Sequence, residues 1–272
     1  MFHCQVRFKS PGSNQAESLV QELWSYAAGL YHQGCVAYDY WITRLGRSAS
    51  LHCQIPERYA LHPRFQDAIG KAALRRLRQF CLRPPEVRIL GVLSETPDSC
   101  RCQAPPALHL FTTFADTSSP LACGGCRKPV PLYRLARLER SLKEGLLRWQ
   151  RDYQSCDELF IASGFAEMWA YRQMSRSDSG LTLAGRELCA QVEAKVRTPV
   201  FYYLLRYWGR SAKAEAKRRC PGCGGDWLLL KPRGLFDFKC ARCRLLSQQA
   251  PDFWPPSARP KPPPPSSSKA RS

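Results

Sequence analysis

Apolar and polar residues alternate from Cys4 to Phe8, which predicts a strand. Pro11, Gly12 and Ser13 break that pattern, and Ser13 or Asn14 is placed to cap a helix. Leu19, Leu23, Tyr26, Ala27 and Leu30 then recur at helical spacing up to Gly34. Val36–Thr43 and Ser50–Ile55 read as two strands around a turn at Gly46. A second helix is expected from Arg64 to Phe80, and a further strand over Val87–Leu93. On that helix Phe65, Ile69, Ala72 and Phe80 gather on one side, with Arg64, Lys71, Arg75 and Arg78 near the other. That is an ordinary amphipathic helix or a basic ridge facing phosphates. The order β-α-β-β-α-β is the ferredoxin-like pattern.

Further along, Ala107–Phe114 reads as a strand. From Leu132 the pattern turns helical, with Leu135, Leu138, Leu142, Leu146 and Trp149 as a narrow apolar stripe. Arg137, Arg140, Arg148 and Arg151 lie broadly opposite. Asp157–Tyr171 is expected as a separate helix, Ser175–Gly180 as a loop and Thr182–Val196 as a third helix. Phe201, Tyr202, Tyr203, Tyr207 and Trp208 suit a packed core better than base stacking, because Leu204 and Leu205 accompany them. Trp227–Lys231 and Leu235–Lys239 read as two short strands joined by Pro232, Arg233 and Gly234. Pro251–Ser272 loses the pattern and carries four consecutive prolines, Pro262 to Pro265, with scattered cations. It is expected to be a disordered basic tail of polyproline II character.

The hairpin over 227–239 lies between two CxxC pairs, Cys220/Cys223 and Cys240/Cys243. The two-residue gap lets both thiolates of a pair reach one ion, and Gly222, Gly224 and Gly225 permit the tight knuckle around them. Four soft sulfurs favour Zn²⁺ in a closed structural site, with no open position for catalysis. Two redox dithiols are the weaker reading, because both pairs fit one zinc ribbon. A second group is Cys100, Cys102, Cys123 and Cys126. Either all four bind a second zinc, or Cys123 and Cys126 act alone as a dithiol or within another site. Arg127–Pro131 delays any helix after the CxxC, which weighs against a thioredoxin-like use.

Charge changes the picture more than length does. The 272 residues carry 41 Lys+Arg against 22 Asp+Glu, a formal +19. Each Cys₄–Zn²⁺ unit is worth about −2, so two of them leave about +15. The excess is uneven. Residues 210–250 hold ten Lys/Arg and three Asp/Glu, whereas residues 151–209 hold seven of each and read as scaffold. The basic candidates for phosphate contact are Arg210, Lys213, Lys217, Arg218, Arg219, Lys231, Arg233, Arg242 and Arg244. A merely solvated surface is the bland alternative.

Fourteen cysteines suggest disulfides in a secreted protein, yet Met1–Arg7 has no long apolar stretch of a signal peptide. Pro199–Leu205 is the most apolar segment and too short to span a bilayer. A reducing cytoplasm with thiols as metal ligands is the expectation. Five histidines (His3, His32, His52, His62, His109) form no HExxH or H-x-E arrangement, and no Walker loop or G-x-S-x-G elbow occurs. Glu167, Glu187 and Glu193 could pair as carboxylates, but helix surfaces commonly carry glutamates. No enzyme is expected.

Several stretches resemble a bacterial family of unknown function described as zinc-ribbon-containing, with a suggested nucleic-acid partner. They are Ser119–Cys126 with Val130–Leu135, Gly185–Cys189 with Pro199–Leu204, Cys220–Gly225, and Phe236–Cys240 with Cys243–Ser247. The resemblance covers most of the chain to about Ser247; it implies metal binding and suggests nucleic acid, with no established activity. The resulting expectation is an α+β protein. Residues 1–95 form a ferredoxin-like domain, 96–131 a cysteine-knuckle segment and 132–209 a helical block. Residues 210–248 form a C-terminal zinc ribbon and 249–272 a Pro/Ser-rich basic tail. The expected function is non-enzymatic nucleic-acid binding, DNA or RNA, by phosphate contacts and away from membranes. The alternative is a zinc-stabilised adaptor docking an acidic protein.

Overall fold

A computed structural model of the chain describes residues 1–12, 15–37, 39–81, 83–94 and 96–253, with the side chain of Arg233 left out. The cap expected at Ser13 or Asn14, and the tail from residue 254 onward, lie outside the described residues.

Four strands make the N-terminal sheet: β1 (Phe2–Lys9), β2 (Trp41–Leu45), β3 (Ser48–Ile55) and β4 (Glu86–Val92). Their order is β2-β3-β1-β4 with every pair antiparallel, and α1 (Ala16–His32) and α2 (Ala68–Gln79) supply the crossovers. This is the ferredoxin-like arrangement. The alternation in β1 sends Cys4, Val6 and Phe8 inward, where they meet Leu51, Cys53 and Ile55 and the buried Leu19, Leu23 and Leu30 of α1.

Three local expectations are corrected here. Val36 and Ala37 are not in a strand. They are buried at the edge of the sheet, where the Ala37 N–H donates to the Gln54 carbonyl. The inward face of α2 is also rotated from the expected one. Gly70, Ala73, Leu74 and Leu77 are buried, and Ile69 is exposed. The cause is a close helix crossing, since a Cβ built on Gly29 of α1 would sit 3.5 Å from the Gly70 Cα. Small residues win the contact face because they let the helices approach. Lys71, Arg75 and Arg78 do face water. Asp67, and not Arg64, marks the start of α2, its Oδ1 accepting the Gly70 N–H at 2.7 Å.

The middle of the chain forms α3 (Arg140–Ala162), α4 (Glu167–Ser175) and α5 (Gly180–Val196). Leu138, Leu142, Leu146 and Trp149 are buried as the stripe requires, but Leu132–Arg134 is only a 3-10 turn and α3 begins eight residues later. The separate helix expected at Asp157–Tyr171 does not exist. α3 runs through Asp157, and the break comes at Ser163–Ala166, where Ala166 adopts φ 63°. An apolar pattern continuing across a short break carries no sign of where the axis turns.

A second sheet joins distant parts of the chain. It consists of β5 (Leu108–Leu110), β6 (Leu121–Cys123), β7 (Val200–Tyr203), β9 (Leu228–Arg233), β10 (Phe236–Cys240) and β11 (Leu245–Ser247), in the order β6-β5-β7-β11-β10-β9. β7 pairs parallel with both β5 and β11. Its residues Val200 to Tyr203 are all buried, with the Tyr202 ring 5.8 Å from Trp149. A short parallel pair, β8 (Trp208–Gly209) and β12 (Asp252–Phe253), closes the described chain, and α6 (Ala212–Ala216) leads into the C-terminal hairpin. The molecule is therefore mixed α+β, with an N-terminal sheet and a helical middle. Among the described residues no helix is long and apolar enough to cross a membrane.

Candidate metal centres and the cationic surface around them

Each cysteine group is brought together by the turns that flank a strand. Cys220 and Cys223 lie on the turn after α6, Cys240 ends β10, and Cys243 precedes β11. The first knuckle is closed by the Gly224 N–H on the Cys220 carbonyl (2.8 Å) and the Cys220 N–H on the Gly225 carbonyl (2.9 Å). Gly224 has φ +69°, which a side chain resists, and a Cβ at Gly222 would stand 2.8 Å from the Cys243 sulfur. In the second knuckle the Cys243 N–H points at the Cys240 Sγ, 3.3 Å away. The Cys223 and Cys240 sulfurs are 3.7 Å apart, and all four Sγ atoms lie within 4.8 Å of one another.

The other group is assembled in the same way. Cys123 ends β6, Cys126 follows its turn, and Cys100 is held by its N–H on the Pro129 carbonyl (2.8 Å). The C-x-C spacing is accommodated because the Cys102 N–H turns back onto the Cys100 Sγ at 3.4 Å. The Gly125 N–H likewise faces the Cys123 Sγ at 3.4 Å. Arg134 donates to the Cys100 carbonyl and fixes this loop from outside. Again four Sγ atoms lie within 4.8 Å.

The donor chemistry is uniform: each group is four cysteines, with no histidine or carboxylate among them. Backbone N–H groups aimed at sulfur stabilise thiolate. At Cys223 the Gly225 N–H is the leading cause, with the neighbouring thiols, of a pKa drawn down to about 7. Burial pushes Cys126 up, but the Lys128 N–H and the three other thiols outweigh it and leave the group below its ordinary value. A tetrahedral thiolate site with metal–sulfur bonds of about 2.3 Å places its sulfurs about 3.8 Å apart. The 3.7 Å separation fits it. Each group could thus hold one metal ion. Cys4, Cys35, Cys53, Cys156 and Cys189 are buried free thiols elsewhere, and Cys81 is half-buried.

The cationic candidates divide into two sets. Arg210, Lys213, Lys217, Lys231 and Arg242 are exposed, and none forms an ion pair among the described residues. Arg219 is exposed but paired with Asp226. Arg218 is withdrawn from the surface. Its guanidinium lies over the rings of Trp227 (4.8 Å) and Phe238 (4.1 Å) and donates to Ser247 Oγ and the Gln248 carbonyl. Arg244 pairs with Glu193 of α5 at 2.9 Å and donates to the Ala241 carbonyl. The side chain of Arg233 lies outside the described residues.

The sequence reading missed the group that explains this division. Glu215, 2% exposed, sits between Arg206 (2.5 Å) and Arg218 (3.4 Å). Burial draws Arg218 down to about 10, although Glu215 opposes the shift. A single acid inside a basic run was the available signal, and a count of charges conceals it.

These features define a class, an α+β protein with two four-cysteine centres on a shared sheet. Comparison gives the family. The chain is 30% identical over 201 residues to an uncharacterized protein of Haemophilus influenzae, covering 73% of this chain and 76% of that one. A second uncharacterized protein from the same organism is 35% identical over 147 residues, covering 53% of this chain and 71% of the relative. The chain belongs to this uncharacterised bacterial family. Residues 102–205 match a domain of unknown function (DUF2310), and residues 209–253 match another (DUF8594). Among solved structures, a candidate antibiotic biosynthesis monooxygenase from Caulobacter crescentus CB15 is 14% identical. It covers 34% of this chain and 90% of that one, with a TM-score of 0.30. A Mycobacterium tuberculosis protein, Rv0793, is 17% identical over 34% of this chain and 95% of that one, with a TM-score of 0.29.

Proposed function

We propose that this is a zinc-stabilised, non-enzymatic protein that binds nucleic acid mainly through phosphate contacts. Zinc is the ion that a closed set of four thiolates suits best, and each centre then acts as a structural staple. The observation that carries the nucleic-acid reading is how the charges of residues 210–250 are used. All three acids there are engaged within the protein: Glu215 by Arg206 and Arg218, Asp226 by Arg219, and Asp237 by the Gln249 N–H. Five exposed cations are left without an ion pair among the described residues. A polyanion supplies what the protein does not.

Binding of duplex and single-stranded oligonucleotides across a salt series tests this. Each lost phosphate contact lowers the log–log salt slope by about 0.9 for duplex or about 0.7 for single strands. Replacing Lys213, Lys217 and Arg242 with alanine should flatten the slope by up to about two to three units. The zinc content, measured by native mass spectrometry, should stay at two ions. Arg218 is kept, because its loss would disturb the fold. If the triple variant keeps the wild-type slope, the phosphate reading fails. If wild type binds no oligonucleotide at low salt yet captures an acidic protein, an adaptor role replaces it.

A further inference from the structure

We infer that the open face of the N-terminal sheet stacks the unpaired bases of a single-stranded nucleic acid on the rings of His3, Trp41 and His52. The alternation that sends Cys4, Val6 and Phe8 toward the helices sends His3, Gln5, Arg7 and Lys9 to the opposite face. Strand pairing aligns the side chains there in rows. Trp41, His52, Gln5 and Arg88 form one row, and Thr43, Ser50, Arg7 and Glu86 the next. Trp41 is 44% exposed, although tryptophan is mostly well covered in folded proteins. His3 and His52 are half-buried beside it. The Trp41 ring lies within 3° of parallel to His52, with centroids 5.4 Å apart, and His3 is 5.5 Å from Trp41. A hydrogen bond between His52 Nε2 and Thr43 Oγ1 (3.1 Å) holds the His52 ring in place. The rings thus stand together on β2, β3 and β1, which are neighbours in the sheet.

Every base has a flat π-face, so rings on a rigid sheet hold bases with little regard to sequence. Four-stranded sheets bind single-stranded RNA in this way, stacking bases on aromatic side chains of the exposed face. A duplex cannot use such a platform, because its bases are already stacked on one another. The same face supplies charge for the phosphates of the strand. Arg7 and Lys9 are exposed on it, and neither forms an ion pair among the described residues. Glu86, the one acid in the four strands, is taken up by Arg88 at 2.6 Å. A second copy of the chain fits the face less well. Gln5, Thr43, Ser48, Ser50 and Gln54 fill the rest of it with polar groups, whereas the centre of an interface between copies is apolar. The exposed Leu45 and Leu90 stand on the two opposite edge strands, β2 and β4. The inference rests on nucleic acid being the ligand, but it shares no residue with the cationic surface of 210–250, so the two can fail separately.

Binding of the full chain to a short oligouridine, to an abasic strand of the same length and to a duplex tests it. Trp41→Ala should weaken oligouridine binding about 5- to 150-fold, the loss of one stacked base, and leave the salt slope unchanged. Trp41→Phe should recover most of that affinity. Binding of the abasic strand and of the duplex should be the same in all three proteins. Arg7→Ala with Lys9→Ala should instead flatten the single-strand slope, by up to about 1.4. Photocrosslinking of the wild-type chain to an iodouridine strand should mark Trp41, His52 or His3, and this decides alone if Trp41→Ala does not fold. Unaltered oligouridine affinity in a folded Trp41→Ala, or crosslinks confined to residues 210–250, overturns the inference and leaves the phosphate reading standing. If the wild type binds none of the three probes at low salt, both fall. A wild-type dimer that Trp41→Ala converts to monomer assigns the face to a second copy and likewise overturns the inference.

Discussion

Glu215 and Asp67 show how differently two carboxylates can act. Glu215 is buried with two arginines, so removing it leaves Arg218 enclosed by aromatic rings without its countercharge. Glu215→Ala should cost about 3–5 kcal/mol, read from urea unfolding. Asp67 is largely buried and caps α2 while pairing with Arg140 of α3 at 2.8 Å. Burial raises its pKa, but the Gly70 N–H and Arg140 outweigh burial and hold it below the usual 3.8. The unfolded chain therefore takes up its proton first. The stability that Asp67 supplies is complete above about pH 4 and is lost as pH falls through the depressed folded value. Asp67→Ala should cost about 1 kcal/mol at neutral pH. Asp67→Asn should keep part of the cap and flatten the acid limb of the stability curve. An unchanged acid limb in that variant would show that Asp67 does not titrate as described. The two groups of four cysteines were legible at this scale because their spacing is itself the geometry of a knuckle. Arg218 was not, because whether an arginine faces phosphate or packs on Trp227 depends on residues the local sequence does not bring near it.

Among the elements, strands and helices with a sustained period were readable, and their contact faces less so. The inward face of α2 follows from Gly29 and Gly70 touching across a helix crossing, which no single-helix pattern contains. α5 makes the point in a form that can be measured. Gly185 faces β7, where an added Cβ would lie 2.3 Å from Tyr202 Cε2 and 2.6 Å from Trp149 Nε1. Both rings are buried, so neither can swing away cheaply. Helix propensity alone makes Gly→Ala favourable by about 1 kcal/mol. Overpacking costs about 1–3 kcal/mol or more, and at this separation it should prevail. Gly185→Ala should lower Tm and weaken the near-ultraviolet signal of Trp149 and Tyr202. A raised Tm would show that α5 can move away from the sheet at little cost.

For the molecule as a whole, the four-stranded sheet was legible from the order of its elements, and the six-stranded sheet was not. Parallel pairing of β5, β7 and β11 joins segments that read as separate stretches, and short buried strands give no periodic signal. One consequence concerns metal loss. β11 is both the strand after Cys243 and a neighbour of β7. Cys220→Ser should therefore release one of the two proposed zinc ions and also shift the NMR signals of Tyr202 and Tyr203. Signals of Val6 and Leu51 in the N-terminal sheet should stay in place. A change confined to residues 219–247 would mean that the C-terminal hairpin and its cysteine turns are energetically independent. The same pairing orders events during synthesis. The N-terminal sheet has all its strands by Val92 and can fold as the chain emerges. β5 must wait for Val200 to gain its parallel neighbour, and β7 must wait for Leu245 to gain its second. Distant pairings close slowly, since the loop must be formed before the contact rewards it. The nascent chain thus leaves one edge of the apolar strand Leu108–Leu110 unpaired until Val200–Tyr203 appears. A ribosome pausing before Val200 would hold an aggregation-prone chain, and an early metal ion at Cys100, Cys102, Cys123 and Cys126 would be its first protection.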